Sequence, residues 1–245
     1  MSTPLYFDNN DNTILQKDQY STYQNVAYFD ADNGMIIGPN DPRMSIITQV
    51  PINCFRPQPF SDFDERSLDA KWLFTPAGSG TVAMANSCAV ILSGLSVNNG
   101  GELKMTNVPI YMVAGQRVYF YLSTPTNGNL DLEFGIKVDS NNLVRFKRSE
   151  DNTAQAYSSE TRASGTSDSY SGVCPGDSVR RIFCIELVTN AVKFWVGTDM
   201  GELVLQATHT TCIPSGTGNV YLKFTNRYTA NREVDLDFVW PIRIR

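Results

Sequence analysis

The sequence predicts an all-β protein, a two-sheet antiparallel β-sandwich of the jelly-roll type, preceded by an irregular amino-terminal arm. Three observations carry this. From about residue 60 onward, short runs alternate apolar and polar residues, the period of strands with one buried and one wet face. Turn signals separate the runs: TNGN, DSNN, GTDMGE and SGTG. No stretch keeps the 3.6-residue period of an amphipathic helix over twelve residues.

The elements follow in order. Residues 1–60 are rich in Asn, Asp, Tyr and Pro, and their apolar runs are short. YFDNNDN at 6–12 and YFDADNG at 28–34 echo each other. Asp30, Asp32 and Gly34 invite a calcium-loop reading, but an EF-hand needs its glycine at position 6. Gly34 falls at position 5 counted from Asp30, so Asx turns are expected instead. MSIITQV at 44–50 reads as a strand, and PINCFRPQPF at 51–60, with three prolines, as an extended connector. Residues 1–60 are therefore expected to form a docking arm, and 61–245 the sandwich. SDFDERSLDAKW at 61–72 allows a short helix or turn.

Strands are expected at 81–90, 101–106, 117–123, 130–138, 143–147, 182–189, 191–196, 203–207, 219–225 and 233–240. Each of the clearest runs names its buried face: Val118, Phe120 and Leu122; Leu130, Leu132 and Phe134; Val192, Phe194 and Val196; Val220, Leu222 and Phe224; Val234, Leu236 and Phe238. The small, polar residues 149–178 read as a long mobile loop or a ragged hairpin.

Composition excludes several classes. The net charge of −5 is spread without a basic stripe, so no nucleic-acid partner is expected. No run of 18 apolar residues is present, so no membrane helix is expected. The amino end lacks the basic and apolar regions of a secretory signal, and cytoplasmic synthesis follows. Cys54, Cys88, Cys174, Cys184 and Cys212 are odd in number and lack a CxxC spacing. They make a poor disulfide framework and a poor zinc site. Mostly free, half-buried thiols are expected, with Cys184 in the core and a Cys174–Cys212 disulfide as the one pairing worth testing. Neither a metal nor a cofactor is implied.

The order of pieces SDFDERSLDAKWLF, GSGTVAMANSCAVIL, GGELKMT, VAGQRVYFYLS, DLEFGIKVDSNNLVRF and NVYLKFTNRYTANREVDLDFVW resembles the concanavalin A-like lectin/glucanase superfamily over about residues 60–245. That resemblance implies two packed antiparallel sheets. The superfamily holds lectins, glucanases, laminin G-like modules and virion proteins, so the fold alone does not decide a function.

Two pairs of carboxylates could carry glycosidase chemistry: Asp131 with Glu133, and Asp235 with Asp237. Residues i and i+2 on a strand lie about 6.5–7 Å apart. Inverting glycosidases need about 6.5–9.5 Å and retaining ones about 5–5.5 Å, so distance alone does not exclude catalysis. The laminarinase-like glucanases that this chain resembles carry an E-x-D-x-x-E run on one strand. Here the run is D-L-E-F-G-I: Asp131 replaces the first Glu, Glu133 the Asp, and Ile136 stands where the second Glu belongs. With that acid missing, both pairs read as the polar face of strands and not as catalytic groups. His209 is the only histidine. It has no G-x-S-x-G partner motif and is expected to be solvated or capping.

Tyr119 and Tyr121 alternate with a core face, and Trp195 and Trp240 lie in similar strands. Such aromatic shelves bury at protein interfaces or stack on sugars. Protein contact is the first expectation, core packing the second and glycan stacking the third. Taken together, the expected protein is a non-enzymatic virion component, on capsid or tail, that docks through its arm to other virion proteins and forms a homo-oligomer. The alternative is a lectin-like carbohydrate-binding module for surface glycans. A β-glucanase is the third reading.

Overall fold

Backbone pairing follows the alternation read from the sequence over most of the chain. The computed structural model describes residues 68, 70–85, 88–106, 108–124, 129–149 and 156–243, with four strands in the first 37 residues. Two compact units are present, residues 1–58 and 59–245. In the first, β1 (Leu5–Asp8), β2 (Thr13–Gln16), β3 (Val26–Asp30) and β4 (Met35–Ile37) form one antiparallel sheet in the order β2–β1–β3–β4. The segment expected to be irregular thus contains a sheet of its own. The two echoing YFD stretches are its adjacent strands, with Tyr6 opposite Tyr28. The strand expected at 44–50, the connector at 51–60 and Cys54 lie outside the described residues.

The second unit is built from β5 (Trp72–Ala77), β6 (Thr81–Ala85), β7 (Cys88–Leu92), β8 (Gly100–Met105), β9 (Ile110–Tyr111), β10 (Gln116–Ser123), β11 (Leu130–Asp139), β12 (Asn142–Arg148), β13 (Tyr157–Ala163), β14 (Thr166–Cys174), β15 (Arg181–Val188), β16 (Ala191–Gly197), β17 (Val204–His209), β18 (Thr217–Asn226) and β19 (Glu233–Arg243). A seven-stranded sheet runs β17–β16–β15–β10–β19–β7–β6, and a larger one runs β14–β13–β12–β11–β18–β8–β5 with β9 beside β18. All pairings are antiparallel.

The sheets pack face to face through aromatic rings. Phe134 of β11 lies 5.1 Å from Phe120 of β10 and 5.0 Å from Phe183 of β15, centroid to centroid. Phe146 of β12 meets Phe183 and Phe194 at 5.0 and 5.1 Å. These are the inward residues of period-two strands, and each buried ring contributes about 1.5–3 kcal/mol by leaving water.

Three expectations are corrected, and at 149–178 one of two alternatives is selected. The single strand expected at 81–90 is a hairpin, β6 paired with β7. The polar stretch 149–178 holds the paired strands β13 and β14, as the hairpin alternative has it. Its polar residues can form strands because the outer face of the sheet is ionic. The inward face of β13 carries Tyr157, buried in the core. In β19 the expected face of Val234, Leu236 and Phe238 is broken. Tyr121 pairs with Phe238 but Leu122 pairs with Leu236, so Asp237 is the extra residue of a β-bulge. A bulge flips the side-chain phase beyond it. Val239 therefore joins the core, fully buried, while Phe238 moves to the outer cluster. Finally, Cys88, Cys174 and Cys184 are buried, not half-buried. Cys184 lies in a core cluster as expected, the smaller one on the outer face of the seven-stranded sheet.

Candidate functional site

On β11 the inward residues are Leu130, Leu132, Phe134 and Ile136, all essentially inaccessible. Asp131 and Glu133 therefore face outward, away from the core. Neighbouring strands set what surrounds them. Glu133 lies between Lys147 of β12 and Lys223 of β18 in register. The next outward position, Gly135, lies between Arg145 and Tyr221.

Both carboxylates are held by cations. Arg227 reaches Asp131 with Nε at 2.7 Å and Nη2 at 2.5 Å. Arg145 donates to Glu133 and, through Nε and Nη2, to Glu160 of β13 at 2.9 and 2.6 Å. Arg162 completes Glu160 at 2.6 Å. Lys223 stands 3.6 Å from Glu133, and the Tyr221 hydroxyl 3.5 Å from it. Burial pushes the Tyr221 phenol well above its ordinary value, so it remains a neutral donor. Arg145 and Glu160 are both buried, which makes their pairing obligatory for the sheet.

Here lies a cleft of about 220 Å³ whose charged lining is Asp131 and Glu133 on one side of the balance and Arg145, Lys147, Lys223 and Arg227 on the other; Arg148, also in its wall, is fully buried and bonds Thr124. The volume is below the roughly 300–1,000 Å³ of small-molecule pockets, so this is a shallow subsite on a sheet face. One constraint on it is set by the backbone. A Cβ on Gly135 would stand 2.1 Å from the Val144 carbonyl oxygen and 2.8 Å from Arg145 Cα. No side chain fits there, and Ile136, the next residue, points into the core.

Asp235 and Asp237 belong to the other sheet, so the two carboxylate pairs do not converge. Arg180 spans this second pair, 3.6 Å from Asp235 and 2.8 Å from Asp237. Around it the structure gathers all four aromatic residues singled out in the sequence. Tyr119 packs on Trp240 at 5.7 Å and Tyr121 on Phe238 at 5.3 Å. Arg180 lies over the Tyr121 ring at 5.6 Å. Trp195 donates to Glu186 at 3.0 Å, and Arg117 grips the same carboxylate at 2.6 Å. Tyr119 is buried in this cluster; Tyr121, Trp195 and Trp240 are partly buried. The aromatic shelf and the ionic cleft thus occupy opposite outer faces of the sandwich.

His209 corrects a further expectation. It is buried at 3% exposure and packs edge-on against Phe194 at 5.0 Å. Its Nε2 shares a 2.8 Å hydrogen bond with the Ser159 hydroxyl, and its Nδ1 lies 3.3 Å from Asp168 Oδ2. The order hydroxyl, imidazole, carboxylate is that of a hydrolytic triad. Ser159 is wholly inaccessible on the inner face of β13, so no scissile carbonyl can approach it. The group is a polar tie between the sheets. Burial holds the imidazole below its ordinary pKa, against the pull of Asp168 and Glu160.

Among the described residues no cysteine forms a disulfide. Cys174 and Cys212 are both free thiols. Burial pushes the Cys174 and Cys184 thiols up to about 12, so they stay protonated at neutral pH. Among the described residues no group of three or more His, Cys, Asp or Glu is placed to hold a metal ion.

Comparison with solved structures places this arrangement. A β-1,3-glucanase from Mycobacterium marinum superposes with a TM-score of 0.58 at 11% identity, over 75% of this chain and 97% of its own. The fold is that of a glucanase-type jelly roll. The β-glucanase of Bacillus licheniformis matches with a TM-score of 0.54 at 12% identity, over 74% of this chain and 95% of its own. A third match is described as an immunostimulatory antigen and pseudo β-1,3-glucanase of Mycobacterium tuberculosis. It has a TM-score of 0.54 at 14% identity, over 75% of this chain and 97% of its own. No protein-family model and no curated protein matches the sequence. The neighbours give the virion role no support.

Sequence reading found Asp131 and Glu133 but missed Arg145, Glu160, Lys223 and Arg227. The alternation in NLVRFKR and NVYLKFT already puts Arg145, Lys147 and Lys223 opposite the apolar residues of their strands. What was not legible is that β12 and β18 are the neighbours of β11, because strand order depends on long-range pairing.

Proposed function

We propose that the protein is a non-catalytic saccharide-binding module that takes its ligand on the outer face of the larger sheet, along β11. The observation that carries this is Gly135. The run resembled in the sequence puts its third acid at position 136, where Ile136 points into the core, and at the outward position beside Asp131 and Glu133 the backbone of β12 stands too close to Gly135 for any side chain. The remaining carboxylates are clamped by Arg227 and Arg145. Each is thereby an acceptor for hydrogen bonds and a counter-ion, not a free acid–base pair.

Binding and chemistry are tested separately. Retention on an array of neutral and acidic oligosaccharides, with no reducing sugar released from a β-1,3-glucan, is the expected outcome. Sustained release of reducing sugar from β-1,3-glucan defeats the non-catalytic half of the reading. An array without any retained saccharide defeats the binding half. The virion role expected from the amino-terminal segment has no observation here in its favour.

A further inference from the structure

Resting on the saccharide-binding reading, we propose that the ligand is an anionic saccharide, bearing carboxylate or sulfate groups, held by Lys147 and Lys223 on the two sides of Glu133. The first argument is charge. The cleft is lined by four cationic side chains against two carboxylates, a local balance of +2, on a chain whose net charge is −5. A concave site whose sign opposes that of the whole protein draws in ligands of the opposite charge. The second argument is what the lining lacks. None of its residues is Trp, Tyr or Phe, so the stacking platform that suits a neutral sugar ring is absent from it. The protein does own an aromatic shelf, but on the opposite face of the sandwich.

The third argument is availability. Arg145 is consumed by Glu133 and Glu160, and Arg227 by Asp131. Lys147 is different: among the described residues no carboxylate lies within ion-pair distance of it. Lys223 is held loosely, 3.6 Å from Glu133, with 48% of its side chain exposed. Both lysines stand opposite Glu133, on the strands flanking β11. Two strand spacings separate their backbones by about 10 Å, and each carries its ammonium on a flexible four-carbon stem. They can close on one anionic group or take two on neighbouring sugars. A nucleic acid fits less well, since the cations do not continue into a stripe and no aromatic is present for bases to stack on.

The test uses isothermal titration of the full chain with four probes: hexagalacturonate, a sulfated dextran oligomer, laminarihexaose and a single-stranded hexanucleotide. One of the charged saccharides should bind at least about tenfold tighter than laminarihexaose. Which one does so identifies the group. That preference should collapse as ionic strength rises from about 0.01 M to about 1 M, where the Debye length shrinks from ~30 Å to ~3 Å. The double variant Lys147→Ala, Lys223→Ala should lose the preference, binding the charged saccharide no tighter than laminarihexaose, with its circular dichroism spectrum intact. Tighter binding of laminarihexaose overturns the anionic inference but leaves the saccharide-binding reading standing. Binding of the hexanucleotide as tight as that of the charged saccharides also overturns the inference. If none of the three saccharides binds, the underlying reading fails with it.

Discussion

Gly135→Glu is the substitution that would place a third carboxylate on the outward face of β11, and it should destabilise the protein without producing a glucanase. The new Cβ would meet the Val144 carbonyl oxygen at 2.1 Å and Arg145 Cα at 2.8 Å. Both obstructing atoms are backbone of the paired strand, so neither can rotate away. Overpacking in well-packed regions costs ~1–3 kcal/mol, and a backbone obstruction belongs at the top of that range, about 3 kcal/mol. The new carboxylate would stand beside Arg145, but an exposed ion pair returns at most about 1 kcal/mol. For domains of this size each kcal/mol moves Tm by ~2–4 °C, so the net loss of about 2–3 kcal/mol should lower Tm by roughly 4–12 °C. Differential scanning calorimetry measures it, with a reducing-sugar assay on β-1,3-glucan run on the same sample. A variant that melts within about 2 °C of the parent, or that releases sugar, refutes the claim that the backbone closes this position.

Three further predictions follow from other parts of the structure. Phe134→Ala removes a ring packed against Phe120, Phe146, Tyr157 and Phe183 and should cost about 3–5 kcal/mol in a denaturant titration; a loss below 1 kcal/mol would put the core elsewhere. Arg145→Ala leaves the buried Glu160 with Arg162 as its remaining cation and should cost about 1–3 kcal/mol, whereas the double change Arg145→Met, Glu160→Gln should recover much of that loss; equal losses in the two proteins would show that the pair has no special role. The third concerns pH. Burial holds His209 below its ordinary value, so the unfolded chain takes up the proton first and stability falls as pH drops below about 6.5. His209→Gln should flatten that part of the stability curve. Glu233, raised by burial and by Asp235, acts with the opposite sign in both proteins, so the difference between the curves isolates the histidine. Parallel curves for parent and variant would remove His209 from the account.

How far the sequence could be read depended on the range of the interaction. The faces of β10, β11, β16 and β18 were legible because period-two alternation is local, and Val118, Phe134, Phe194 and Leu222 are buried as that alternation requires. The phase of β19 failed at one residue, since the bulge at Asp237 depends on how β19 pairs with β10. β13 and β14 were obscured because their outward residues include Ser, Glu and Arg, and Glu160 is tolerated in a strand through Arg145 on β12 and Arg162 beside it. His209 was misread for a related reason. Its burial depends on Ser159, fifty residues away in sequence.

The same range argument explains the site. Asp131 and Glu133 are visible as a pair in one short run, and in isolation they suggest acid–base work. Their chemistry is decided by residues on three other segments: Arg145 on β12, Lys223 on β18 and Arg227 just beyond it. Gly135 and Arg145 are two halves of one arrangement. Close approach of β12 at Gly135 removes the room for an acid, and the arginine opposite that glycine turns its guanidinium to the nearest carboxylates instead. On the binding reading proposed above, carboxylates held this way serve as hydrogen-bond acceptors, and the face recognises its ligand by charge and hydrogen bonds. The cations left over after Asp131 and Glu133 are satisfied then decide the sign of that ligand.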